Sequence, residues 1–376
     1  VREILFVAGE TSGDLHAANV ARELAARNAG FPLRGIGGDL MEAAGVRLDE
    51  HIRDFAVLGL IEVLRHVPKH WRTLSRLRAR IRSGSVALVV LVDYPGFNMR
   101  VAEAAAEAGV PVLYYIVPQV WAWGAARLEK MARWIRKAAV ILPFEEKLLR
   151  DHGIDATFVG HPLLDRTAEM PSRDEARDRL GVPRDARLLA LFPGSRAQEI
   201  QRHLARFIRT AELLRASDPS LHVVVSAAPH VEIDASRCPF PLVRSASLTV
   251  LRAADAAMCK SGTTTLEAAV AECPLVVAYR AHPLTYLAAR RLVRIPNIGL
   301  VNVVAGREIA PEFVQDALEP TRVARALARL IDHDADERRR MLAELGRVRS
   351  MLGEPGAARR VAAIAHELAQ GAGGSG

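Results

Sequence analysis

Seven consecutive apolar residues, VALVVLV at Val86–Val92, constrain this chain more than any other stretch. No longer apolar run occurs, and a membrane-spanning helix needs roughly 20 such residues. The run is also too continuous for a strand with one face in water, which would alternate apolar and polar side chains. It reads instead as a strand of a parallel sheet covered on both faces. Similar runs recur at Ile4–Ala8, Val110–Val117, Ala139–Leu142, Leu188–Phe192, His222–Ser226, Ala256–Met258 and Leu275–Ala278. Helical patterns separate them, near 14–28, 100–108, 125–137, 197–216, 263–272 and 321–332. Such alternation predicts an α/β protein with doubly wound parallel sheets, whose ligands bind at the C-terminal ends of the strands.

With 376 residues the chain is long enough for two cores. The polar, proline-punctuated stretch 160–187 is the natural boundary. We expect one domain over 1–165, a second over 166–335, and C-terminal helices with a flexible tail over 336–376 that pack back on the first. Three cysteines, Cys238, Cys259 and Cys273, have no CxxC spacing, so neither a disulfide framework nor a metal site is expected. The sequence runs directly into its first strand, without a secretory signal. A cytoplasmic protein, or one attached only to a membrane surface, is the expectation. The net charge of +8 points to an anionic partner. Nucleic acid has no further support, because no recognised binding module appears.

Two strand–turn–helix junctions in the second half carry phosphate chemistry. In LALFPGSRAQEI (189–200), Gly194 allows close backbone approach, Ser195 can cap the helix and Arg196 offers a planar fork for diphosphate oxygens. The spacing is not that of a Walker A loop. In MCKSGTTTLEAA (258–269), Ser261, Gly262, Thr263 and Thr264 gather hydroxyls and N–H groups at one turn. Glu267 either accepts bonds from ribose hydroxyls or completes a capping box with Thr264. Two such turns in one domain favour a sugar nucleotide.

The first half has the opposite chemistry. AGETSGD places Glu10 and Asp14 at the first turn, and Asp93 follows the most apolar strand in VVLVDYPGFN. An acid at a buried strand's C-terminal end is a candidate general base, although an Asx-turn into Pro95-Gly96 is the plainer alternative. Carboxylates accept bonds from hydroxyls and repel phosphates, which suits a hydroxyl-bearing acceptor. Aromatics cluster at Tyr114, Tyr115, Trp121 and Trp123, ahead of a basic stripe of Arg127, Lys130, Arg133 and Lys137. The stretch 55–82 begins apolar and becomes basic: Trp71, Leu74, Leu77 and Ile81 share one helix face, flanked by Lys69, Arg72, Arg76 and Arg80. Core packing explains part of this pattern. A shallow membrane or acyl-chain contact explains the apolar-plus-cationic combination better.

The pieces AGETSGD, YYIVPQVWAW, ILPFE (141–145), FVGHPL (158–163), FPGSRAQEI, SGTTTLE and IPNIGLVNVVAGREIAPEFVQ (295–315) occur in order over most of the chain. Together they closely resemble the lipid-A-disaccharide synthase family, membrane-associated inverting glycosyltransferases. The resemblance implies a GT-B fold, two Rossmann-like domains with a cleft between them. It implies transfer of 2,3-diacylglucosamine from UDP-2,3-diacylglucosamine to 2,3-diacylglucosamine 1-phosphate, giving a β-1,6-linked disaccharide 1-phosphate and UDP. No cofactor or metal is implied. Asp93 then matches the candidate base, Glu10 a functionally important acid on the acceptor side, and Arg196 the diphosphate-binding arginine. Asn302 and Gln315 match polar positions near the nucleotide-sugar. Asn302 is aligned by its distance to Ala305-Gly306-Arg307-Glu308, since Val301 stands where the family commonly has proline and Pro296-Asn297 lies upstream. The expected location is the cytoplasmic face of the inner membrane, with an anionic membrane surface as partner and a homodimer left open. The alternatives are another GT-B enzyme using UDP-N-acetylglucosamine, or a non-enzymatic lipid-binding protein. A 2-epimerase would need no acyl-accommodating surface, and a pure binder would need no partly buried acids at a ligand edge.

Overall fold

A computed structural model of the chain describes residues 2–54, 60–123, 125–228, 231–282 and 296–371. It forms two compact units, Val1–Asp165 with Gly353–Gly376, and Arg166–Leu352.

The first unit is built on seven parallel strands: β1 (Glu3–Ala8), β2 (Leu33–Gly37), β3 (Arg47–His51), β4 (Val86–Val92), β5 (Val112–Tyr115), β6 (Lys137–Val140) and β7 (Ala156–Phe158). Their order is β3-β2-β1-β4-β5-β6-β7. All residues of β4 are buried, and the reason is visible in the layers. Val89 and Leu91 enter a core with Leu74, Leu77 and Ile81 of the helix Leu60–Arg82 and with Val101 and Ala105 of the helix Pro95–Glu107. Leu88, Val90 and Val92 enter the opposite core with Ala17, Ala21 and Leu24 of the helix Thr11–Ala26. The chain's last helix, Ala357–Gly371, completes that second layer through Val361, Ala362 and Ala365. A strand feeding two dry cores has no place for a polar residue.

The second unit repeats the topology. Its strands are β8 (Leu188–Phe192), β9 (His222–Ala227), β10 (Leu242–Arg244), β11 (Ala256–Lys260), β12 (Leu275–Tyr279) and β13 (Glu312–Val314), in the parallel order β10-β9-β8-β11-β12-β13. The helix Asp336–Met351 belongs here, burying Met341, Leu345 and Val348. The return to the first unit therefore starts at Gly353, not at residue 336 as the sequence suggested.

The stretch 55–82 is described only in part. Its apolar start, 55–59, and the side chains of 60–68 lie outside the described residues. In the remainder, Leu74, Leu77 and Ile81 are core residues. Arg80 pairs with Asp49 at 2.8 Å and Glu3 at 2.5 Å, and Arg76 pairs with Glu50, so these two cations blunt the sheet edge at β3. Trp71 stays 53% exposed, with the Arg100 guanidinium 5.3 Å from its ring.

Candidate active site

In each unit the strand order reverses between two central neighbours, β1 and β4 in the first and β8 and β11 in the second. Ligands of doubly wound sheets bind beyond the C-terminal ends of such a pair. Gly9-Glu10 follow β1 and Asp93-Tyr94 follow β4, so the topology brings Glu10 and Asp93 to the same edge.

The turn after β4 is unusual. Asp93 and Tyr94 are both left-handed, with φ of 49° and 48°. A non-glycine residue in that region costs about 1 kcal/mol or more, so two in succession need support. Buried Asn98 supplies it, donating to the carbonyls of Asp93 (2.7 Å), Val92 (3.2 Å) and Val7 (3.3 Å). The Tyr114 hydroxyl donates to the same Asp93 carbonyl at 2.8 Å. Burial, and then Asp93, push the Tyr114 hydroxyl well above its ordinary pKa, so it remains a donor. The half-buried Asp93 side chain thus stands on a backbone fixed from two directions.

Tyr94 ties the two turns together. A Cβ on Gly9 would fall 2.2 Å from the Tyr94 ring, so only glycine fits there. Burial, with the Glu10 charge second, raises the Tyr94 pKa, and the Tyr94 hydroxyl lies 3.2 Å from His70 Nε2. Glu10 itself is exposed, and no hydrogen bond of its side chain occurs among the described residues. Asp14 behaves otherwise. It is 3% exposed and accepts backbone N–H bonds from Gly38 (2.6 Å), Leu40 (3.1 Å) and Met41 (3.1 Å). It caps the helix Asp39–Ala43 instead of facing an acceptor or merely complementing its own helix.

Two motifs separate in sequence also meet here. Trp121 Nε1 donates to Glu145 Oε1 at 3.2 Å, and Phe144 packs edge-on against the Trp121 ring. Glu145 Oε2 accepts from the Leu142 N–H at 3.1 Å. Burial outweighs these bonds and pushes the Glu145 carboxyl up to about 7.

In the second unit the turn after β8 carries Gly194, Ser195 and Arg196. Gly194 has φ of 139°, and a Cβ there would lie 2.5 Å from Glu199 Cβ. The Ser195 N–H donates to Glu199 Oε2 at 2.9 Å. Glu199 Oε1 lies 2.8 Å from Lys260 Nζ and 3.7 Å from the exposed Arg196 guanidinium. Burial alone would raise the Glu199 carboxyl, but Lys260 and Ser195 hold it below its ordinary value. His203 fixes the adjacent backbone: Nδ1 bonds the Glu199 carbonyl and Nε2 accepts from the Arg280 N–H, both at 2.8 Å. These partners require the neutral ring, which burial also favours. Sequence reasoning missed both Glu199 and Lys260. A lysine ending the otherwise apolar strand β11 was the available signal.

After β11, Ser261 Oγ donates to the Ile298 carbonyl at 2.7 Å. Gly262 and Thr263 lead into the helix Thr264–Val270, and Thr263 makes no side-chain cap bond. The alternative capping box is not formed: Glu267 is buried and its Oε1 pairs with Arg166 at 3.0 Å. Asn302 is fully buried and donates to the Ala310 carbonyl (2.7 Å) and Glu312 (2.8 Å), while accepting from Ile309 (2.8 Å) and Ala310 (2.9 Å). Gln315 accepts from the Ala281 N–H at 2.9 Å and donates to its carbonyl at 3.4 Å. Both amides, expected beside the nucleotide-sugar, bond the protein itself: Asn302 braces 302–312 through backbone groups and the Glu312 carboxylate, and Gln315 ties that segment to Ala281. Among the described residues no group of three His, Cys, Asp or Glu could hold a metal ion.

Residues 4–362 match the family model described as lipid-A-disaccharide synthetase. The lipid-A-disaccharide synthase of Geobacter metallireducens is 39% identical over 376 residues, covering 98% of this chain and 97% of that protein. That of Syntrophus aciditrophicus is 40% identical, covering 97% of each. Among solved structures, the S. aureus MnaA–UDP co-structure aligns with a TM-score of 0.65 at 12% identity, over 96% of this chain and 95% of that one. The kitacinnamycin glycosyltransferase aligns with a TM-score of 0.63 at 18% identity, over 97% and 98%. These structures establish the GT-B fold. With the family model spanning nearly its whole length, the chain belongs to the lipid-A-disaccharide synthase family, glycosyltransferases of lipid A biosynthesis.

Proposed function

We propose that the first unit handles the sugar acceptor and the second the nucleotide of the donor. The donor is UDP-2,3-diacylglucosamine and the acceptor 2,3-diacylglucosamine 1-phosphate. One observation carries this division: one topology occurs twice with opposite charge at its switch point. Acids follow β1 and β4, whereas Arg196 and Lys260 stand after β8 and at the end of β11.

In this reading Asp93 takes the proton from the acceptor 6-hydroxyl as that oxygen attacks the donor's anomeric carbon. The new C–O bond forms opposite the breaking bond to the UDP β-phosphate, so the centre inverts. Arg196 neutralises the departing diphosphate, and preorganised charge of this kind is commonly the largest catalytic contribution. Ser195, with Gly194, offers the turn backbone to the phosphates, and Ser261, Gly262, Thr263 and Thr264 line the neighbouring turn. Glu267 Oε2, the oxygen not paired with Arg166, accepts from the ribose hydroxyls. Glu10, exposed beside Tyr94, accepts from an acceptor hydroxyl. Both substrates carry acyl chains, which supports work at the inner membrane's cytoplasmic face, and exposed Trp71 is a contact suited to it. No helix among the described residues is long and apolar enough to cross a membrane.

The test is incubation of purified protein with both substrates in detergent, read by mass spectrometry. A disaccharide 1-phosphate with stoichiometric UDP is expected. Absence of product, or conversion of UDP-N-acetylglucosamine to an epimer instead, would overturn the proposal.

A further inference from the structure

We infer that Lys260 is a second diphosphate-binding cation and that Glu199 is an internal anion holding its place until nucleotide binds. The inference rests on the reading of the second unit as the nucleotide side. Neither residue was singled out by the sequence motifs, and no role in the reaction described above requires Glu199.

The geometry around Glu199 is that of an occupied anion site. One carboxylate oxygen takes the Ser195 N–H at 2.9 Å, and the other takes the Lys260 ammonium at 2.8 Å with Arg196 at 3.7 Å. A turn amide, an ammonium and a guanidinium are the donors that a phosphate oxygen would recruit. Here a side chain of the protein recruits them. The pair is mostly shielded from water, with Glu199 14% and Lys260 17% exposed, whereas Arg196 is 70% exposed and reaches outward.

Lys260 sits where both ligand-side turns can be served. It ends β11, its Nζ lies 3.7 Å from the position a Cβ on Gly262 would take, and it faces the Tyr279 ring at 5.9 Å. An unpaired ammonium in that setting would be costly, and Glu199 removes the cost while the site is empty. An ammonium has three donors, and Glu199 engages one of them. Lys260 can therefore turn a remaining N–H toward a diphosphate oxygen as that oxygen takes over the charge balance. Glu199 then competes with the ligand for the same cation, which offsets the Lys260 charge when the site is empty and weakens product retention after transfer.

The experiment is calorimetric titration of wild type, Lys260→Met, Lys260→Arg and Glu199→Gln with UDP and with inorganic diphosphate. Binding of UDP by wild type tests the nucleotide reading by itself, and only the variants test Lys260 and Glu199. Lys260→Met should weaken both ligands roughly 10- to 100-fold, the range for a charge-assisted bond, with Lys260→Arg recovering most of the loss. Glu199→Gln keeps an oxygen for the Ser195 N–H but removes the competing charge, so both ligands should bind several-fold more tightly than to wild type. Thermal melting of each variant separates these effects from unfolding. Unchanged affinity in Lys260→Met would remove Lys260 from the site. A Glu199→Gln protein binding no more tightly than wild type would reduce Glu199 to a brace of the turn.

Discussion

Replacing Glu145 by glutamine should make the first unit less stable than wild type at pH 5 and more stable at pH 8. The carboxyl is 3% exposed and is pushed up to about 7, chiefly by burial. A carboxyl raised in this way binds its proton more tightly in the folded than in the unfolded chain. Its contribution to stability is complete below the ordinary glutamate value and is lost as pH rises through about 7. The shift corresponds to about 3 kcal/mol. Glutamine has no such titration. It also leaves one of two donors, the Trp121 indole or the Leu142 N–H, facing an amide NH₂, which costs about 1–2 kcal/mol at every pH. The two effects have opposite sign at pH 8, whereas at pH 5 the first has barely begun and the second dominates.

Hydrogen exchange of the β4 amides is the suitable assay, because those buried amides report opening of the whole unit. Comparing the two proteins at one pH cancels the intrinsic exchange rate. The ratio of their protection factors should change by about two orders of magnitude between pH 5 and pH 8, wild type losing ground as pH rises. A ratio that stays constant would refute the reasoning. It would mean that Glu145 is already charged at pH 5, with the Trp121 and Leu142 bonds overcoming burial.

Other substitutions separate catalytic from structural roles. Asp93→Asn preserves shape but removes the base, so turnover should fall roughly 10²- to 10⁴-fold with UDP affinity and melting temperature unchanged; a parallel fall in UDP affinity would place Asp93 on the nucleotide side. Asp14→Ala leaves three backbone N–H groups without their acceptor and should cost about 2–4 kcal/mol, seen as faster exchange over residues 38–41. Unchanged exchange there would mean that Asp14 does not hold that helix. Asn302→Ala should lower stability by a similar amount and expose 296–315 to proteolysis; weaker UDP binding without any loss of stability would instead make Asn302 a direct ligand contact.

The parts of the fold legible in the sequence are those whose signal is local. β4 and β8 announce themselves because strands buried on both faces are apolar throughout. β3, reading RLDEH, and three-residue β7, β10 and β13 carry no such signal. β3 is an edge strand whose charges are satisfied by Arg34, Arg76 and Arg80, two of them from a distant helix. The same distant pairing limits what the basic residues of 55–82 reveal: periodicity shows which cations share a helix face, but not which acids pair with Arg76 and Arg80. Asn302 and Gln315 illustrate the limit for polar residues. A motif marks them as important, and only the surrounding carbonyls and N–H groups show that their amides are already satisfied.

Glu10 and Asp14 show why a turn can carry the wrong charge for its fold. They are four residues apart, the spacing that puts two helical side chains on one face. That rule holds only inside a helix, and Glu10 is the residue before it, with extended φ and ψ of −137° and 161°. Its side chain leaves the helix face and is exposed, while Asp14 turns inward to the amides of 38–41. One carboxylate neutralises the donors of a neighbouring helix, and the other remains at the switch point beside Tyr94. In the proposed reading a phosphate there would meet the carboxylates of Glu10 and Asp93 at close range, whereas a hydroxyl would find two acceptors. In the second unit the corresponding carboxylate, Glu199, is already matched by Lys260, and Arg196 remains in excess. In the proposed reading, the preference of each sheet for hydroxyl or phosphate follows from which charges its own turns present, not from the strand–turn–helix geometry the two share.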